Sequence, residues 1–131
     1  MMKGIVLFLA ASVLWLSSCA QGETNEVQNQ ADGANLVRVS KTEFKKVLTA
    51  NPDAVLIDVR TPREYNGGKI GHAQNINFND ASFKEDMNKL DKDTLTLIYC
   101  QSGGRSGKAL DQMREMGFTN VRELEGGYGN W

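Results

Sequence analysis

Thr94-Leu95-Thr96-Leu97-Ile98-Tyr99-Cys100-Gln101-Ser102-Gly103-Gly104-Arg105-Ser106 contains the transition that decides the fold. Its first seven residues are largely apolar, the pattern of a strand covered on both faces, and Asp91-Lys92-Asp93 supplies the turn before it. Gly103 and Gly104 interrupt the run. Beyond them Ala109, Leu110, Met113 and Met116 share one face at helical spacing, and Gly117 stands where a glycine ends a helix. A strand, a short glycine loop and a helix beginning near Ser106 are therefore expected in direct succession.

The same alternation extends outward. Residues 36–39 read as a short strand, and Ser40-Lys41-Thr42-Glu43 has the capping-box pattern. The helix it opens places Phe44, Val47 and Leu48 on one face and ends at Asn51-Pro52. Residues 54–59 form a continuous apolar, buried strand. Thr61-Pro62 then caps a short helical turn through Tyr65, before Gly67-Gly68. Residues 74–78 predict a further strand, 83–90 a short helix and 121–124 a last strand, with Gly126-Gly127 as the final turn. Strands alternating with helices imply an α/β domain, an open and mainly parallel sheet with helices on both faces. Ligands bind such sheets at the carboxyl ends of the strands, where Cys100 stands.

The 131 residues hold one ordinary domain once the front of the chain is set aside. Lys3 precedes an apolar run over residues 4–16 that is too short to cross a bilayer core. A charged start, a short apolar stretch and small residues before a cut site describe an export signal, residues 1–18. Leu16-Ser17-Ser18-Cys19 resembles the bacterial lipobox, which implies cleavage before Cys19 and a lipid anchor on its sulfur. Residues 19–35 then form a polar tether, whose flexible reach is about 20–24 Å, and residues 36–131 the domain. The expected location is the cell envelope, facing the periplasm. Ala20 after Cys19, in place of an Asp, favours the outer membrane. Removing residues 1–18 leaves 14 basic against 16 acidic residues, a net charge of −2 that gives no reason to expect nucleic acid as a partner.

Chemistry concentrates at Cys100. With Cys19 lipidated, Cys100 has no partner for an internal disulfide, and an odd thiol in an exported protein points to reactivity. A thiol attacks as thiolate, so it needs a depressed pKa. The following helix aims its unpaired N–H groups at the loop, Gly103 and Gly104 allow loop amides to converge on one point, and Arg105 adds positive charge. Gln101, Ser102, Gly103, Gly104 and Ser106 are the expected substrate-binding positions, with Cys100 and Arg105 catalytic. Asp58, Arg60 and Glu64, just past a strand end, read as an ion-pair and turn-capping network that braces the loop. The single histidine, His72, reads as a locally packed loop residue. With one His, no Cys-x-x-Cys and no clustered ligand spacing, no metal or organic cofactor is called for.

The segment Cys100 to Arg105 resembles the Cys-x-x-Gly-x-Arg loop of rhodanese-like sulfurtransferases. Asp58-Val59-Arg60-Thr61-Pro62-Arg63-Glu64-Tyr65, the stretch Gly68-Lys69-Ile70-Gly71-His72-Ala73-Gln74-Asn75-Ile76 and the closing Gly126-Gly127-Tyr128-Gly129-Asn130-Trp131 resemble that family's other motifs in order and spacing. Lys69 and His72 depart from its usual His and Gly and are read as scaffold changes. Relatives generally continue beyond the final Trp, so a last helix is expected to be cut short. The resemblance implies a sulfurtransferase that moves sulfur from a small donor such as thiosulfate to a thiol or cyanide through a Cys100 persulfide; a protein acceptor would also suit it. The alternative is a non-enzymatic persulfide carrier or sulfide-sensing module. Cysteine phosphatases use Cys-x5-Arg, which would require Arg at position 106, where Ser106 stands. A thiol-disulfide oxidoreductase would need a second, resolving cysteine.

Overall fold

Five short strands and four helices alternate in the computed structural model, which describes residues 33–131. Cys19, residues 1–18 and residues 20–32 lie outside the described residues. The elements are β1 (Asn35–Val39), α1 (Lys41–Ala50), β2 (Val55–Asp58), α2 (Pro62–Asn66), β3 (Gln74–Asn75), α3 (Phe83–Asn88), β4 (Thr96–Tyr99), α4 (Gly104–Glu115) and β5 (Asn120–Leu124), closed by a 3-10 turn over Tyr128–Asn130. All strand pairs are parallel, in the order β1-β5-β4-β2-β3. The mainly parallel sheet expected from the alternation is thus parallel throughout.

Both faces of the sheet are covered, which is why β2 and β4 are apolar at successive positions. Ile57, Val59 and Ile98 pack with Phe83 and Met87 of α3 and with Ala109, Leu110 and Met113 of α4. Leu56, Leu97 and Tyr99 point the other way, against Phe44 of α1, Ile70 and Ala73. At about 25 cal/mol per Å² of apolar surface, these two layers supply most of the drive to fold.

Local signals set the helix ends. The Ser40 hydroxyl accepts from Glu43 N–H at 3.3 Å, but Glu43 pairs with Lys46 at 3.7 Å, so only half of the expected capping box forms. The full box is at α2, where Thr61 and Glu64 exchange bonds over Pro62. At the end of α4, Gly117 takes φ +86°, Phe118 N–H bonds Met113 carbonyl and Gly117 N–H bonds Arg114 carbonyl, the paired arrangement of a Schellman motif.

Among the boundaries that differ from the sequence reading, two have a local cause. The strand expected over 74–78 is only two residues long, because its pairing begins at Ile57 and β2 ends at Asp58. The chain still follows the β2 edge, with Ile76 N–H on Asp58 carbonyl and Phe78 N–H on Val59 carbonyl. The last long helix starts at Gly104 and not near Ser106. Gly103, at φ +96°, turns the chain so sharply that Arg105 and Ser106 fall in the first helical turn.

The closing turn fixes the loop after β4. Tyr128 N–H bonds Cys100 carbonyl at 2.7 Å and Gly129 N–H bonds Gln101 carbonyl at 2.9 Å. Gly127 sits between them at φ +63°, and a Cβ there would meet Cys100 O at 2.5 Å and Gln101 C at 2.6 Å. Gly127→Ala is expected to cost more than about 1 kcal/mol in urea denaturation, since backbone strain and a backbone clash coincide. A stability equal to wild type would mean that the turn does not clamp the loop.

Candidate active site

Cys100 follows β4 directly and is 1 % exposed. Its flanking loop is short, so the first turn of α4 closes over the sulfur. Gly103 N–H donates to Sγ at 3.1 Å, and the Ser106 hydroxyl lies 3.3 Å from it. Burial pushes the thiol pKa up. The Ser106 hydroxyl and the backbone N–H groups of Ser106, Ser102 and Gly103 draw it down and prevail, so the thiol is more acidic than usual. The charged form of the sulfur is stabilised by oriented dipoles at a helix start.

The remaining sequence-derived residues take distinct places. Gly103 and Ser106 are buried beside the sulfur, whereas Ser102 on the loop and Gly104 at the start of α4 are exposed. The side chain of Gln101 is engaged by Arg60, its Oε1 accepting from Arg60 Nη1 at 3.1 Å. The two terminal nitrogens of Arg105 hold the Glu64 carboxylate, each at 2.8 Å. Glu64 also accepts from the Thr61 N–H and hydroxyl. Arg105 lowers the Glu64 carboxyl pKa to about 2 against the opposing effect of burial, with Thr61 adding to the lowering.

Asp58 and Arg60 form a second pair, both buried, with Arg60 Nη2 at 2.6 Å from Asp58 Oδ2. Arg60 also donates to Gly68 carbonyl and lies over the Tyr128 ring at 4.1 Å. Lys69 donates to the Tyr65 hydroxyl at 2.8 Å. His72 Nε2 bonds Ala54 carbonyl beside the start of β2, at the opposite end of the sheet from Cys100.

Sequence reasoning missed Glu123 and Arg38. Glu123 is fully buried in β5, with one carboxylate oxygen on Ser106 and the other on Arg38. The available signal was weak: Glu123 shares a strand face with buried Val121, an unusual place for an acid. Its pairing with Arg38 follows from the β1–β5 register, which no local pattern reveals.

The family model for the rhodanese-like domain matches residues 40–131. The chain belongs to the rhodanese-like family. YqhL of Bacillus subtilis is 40 % identical over 95 residues, covering 72 % of this chain and 74 % of that protein. The probable adenylyltransferase/sulfurtransferase MoeZ of Mycobacterium tuberculosis is 32 % identical over 101 residues, 77 % of this chain but only 26 % of MoeZ. This rhodanese-like chain likewise spans 28 % of the tRNA uridine(34) hydroxylase of Sodalis glossinidius, at 36 % identity. Among solved structures, the human single-domain sulfurtransferase TSTD1 superposes with a TM-score of 0.58 at 29 % identity, covering 72 % of this chain and 93 % of that one. A rhodanese-like domain protein from Staphylococcus aureus gives 0.64 at 26 %, covering 72 % and 89 %.

The Glu64–Arg105 pair has a pH signature. A Glu64 carboxyl that ionises at about 2 in the fold, against an ordinary 4.5, adds stability above about pH 5 that is lost as pH falls toward 2. In urea denaturation, the stability gap between wild type and Glu64→Gln is expected to narrow over that range. A gap that stays constant would show that the pair does not hold the loop.

Proposed function

We propose that the protein is a sulfurtransferase that carries sulfane sulfur on Cys100. The observation that carries this reading is the convergence of loop and helix N–H groups on a buried thiol made more acidic than usual. Membership of the rhodanese-like family supports it.

With thiosulfate as donor, Cys100 thiolate attacks the outer sulfur. A new S–S bond forms at Sγ, the donor S–S bond breaks with its electron pair, and sulfite leaves. The persulfide keeps the negative charge where the amides and the start of α4 stabilise it. A thiolate acceptor then attacks the outer sulfur and leaves with it, restoring Cys100 thiolate. The buried sulfur suits this chemistry because the intermediate is shielded from bulk water. Arg105, paired with Glu64 at the loop's edge, gives the anionic donor a cationic approach without closing on the sulfur. Four residues separate Cys100 from Arg105, one fewer than in the phosphatase loop, which disfavours a tetrahedral phosphate.

Incubating the protein with thiosulfate is expected to add one sulfur, about 32 Da by intact mass, and cyanide should remove it as thiocyanate through the same nucleophile. Cys100→Ser should take up none. Uptake without turnover would favour the carrier reading, and hydrolysis of aryl phosphates in place of uptake would overturn sulfur transfer.

A further inference from the structure

Glu123 is a fully buried carboxylate that the sulfur-transfer steps do not use. Its Oε1 is in a short hydrogen bond with the Ser106 hydroxyl, which lies 3.3 Å from Cys100 Sγ. Its Oε2 accepts from Arg38 Nε, and Arg38 Nη2 reaches Gly103 carbonyl at 3.0 Å. The chain of contacts thus runs from the half-exposed Arg38 of β1 through β5 to the head of α4 and the nucleophile. Gly107 leaves room for it, since a Cβ there would lie 2.5 Å from Arg38 Nη2.

A serine hydroxyl has one proton, so it cannot donate to both Glu123 and the sulfur. The bond to the carboxylate is much the shorter, and charge-assisted bonds of that kind are the stronger. We propose that Glu123 is a positioning residue for Cys100: it holds the Ser106 proton, and the direction of that proton sets how readily the thiol becomes thiolate. While that proton stays on Glu123 Oε1, Ser106 gives the sulfur no donor and only the N–H groups favour thiolate; turned toward Sγ, the hydroxyl adds to them.

Other charges face the pair from every side. Arg38 in β1 and Glu125 after β5 lie on one flank, Arg105 on α4, and Asp58, Arg60 and Glu64 on the β2 side. Arg60 and Arg105 are already matched by Asp58 and Glu64. Arg38 is matched by Glu123, so Glu123 connects a charge pair to the sulfur through the Ser106 hydroxyl.

This inference rests on Cys100 acting as a thiolate nucleophile, but its test reads protonation and not sulfur transfer. In Glu123→Gln, Arg38 Nε–H still requires an acceptor, so the amide carbonyl turns to Arg38 and the NH2 to Ser106. Ser106 must then donate to the sulfur. The pH midpoint of iodoacetamide alkylation at Cys100, read on the Cys100 peptide, is expected to fall by about one unit, a roughly tenfold faster reaction below the midpoint. In the Ser106→Ala background the same substitution should no longer shift it. An unshifted or raised midpoint, or an equal fall with and without Ser106, would overturn the inference. Circular dichroism checks the fold. Failure to load sulfur with the alkylation shift intact would count against sulfur transfer alone.

Discussion

Arg60 carries a full charge while only 2 % exposed, and that constraint organises the site. A buried cation is tolerated only where its donors are met, and here each partner comes from a different part of the chain. Asp58 at the end of β2 takes the fork, Gly68 carbonyl accepts from Nη2, the Gln101 side chain accepts from Nη1, and Tyr128 lies against the guanidinium face. β2, the loop after α2, the cysteine loop and the closing turn are therefore registered against one planar group. Removing Asp58 alone would leave the charge uncompensated, a loss on the scale of 3–5 kcal/mol. Lysine could not replace it, because a single ammonium does not reach several partners in one plane.

That frame lets a buried thiol become acidic. Desolvation alone would raise the pKa of Cys100, and it is the largest single influence on it. The opposing influence is cumulative: one serine hydroxyl and three backbone N–H groups, each modest, act within a site where water does not compete. They do so only because Gly103 adopts φ +96° and the chain enters α4 at once. The two arginines divide the labour. Arg60 fixes the back of the loop, and Arg105 with Glu64 fixes its rim.

What could be read from the sequence follows the range of the interactions. The buried strands β2 and β4, the helical face through Met113 and the Thr61-Pro62 start are written within a few residues of one another, and the parallel α/β sheet follows from their alternation. The Thr61–Glu64 box is local as well, and it joins the cap read at Thr61 to the turn-capping role read for Glu64. β3 was overextended because its length depends on where β2 stops, and the α4 start was misplaced because Gly103 acts as its cap without a polar side chain. Arg38 and Glu123 lie 85 positions apart, and only the β1–β5 register unites them. Arg105 was legible as part of the loop, but its commitment to Glu64 depends on how α2 docks beside α4.

The acidity of Cys100 requires oriented hydrogen-bond donors to outweigh burial at one sulfur. The direct measurement is the pH dependence of iodoacetamide alkylation at Cys100 in the folded protein, set against the same peptide in urea. The unfolded thiol should titrate near its ordinary value of about 8.5, and the folded one at a clearly lower pH. A folded midpoint equal to or above the unfolded one would mean that burial prevails, and the loop would then hold a structural cysteine.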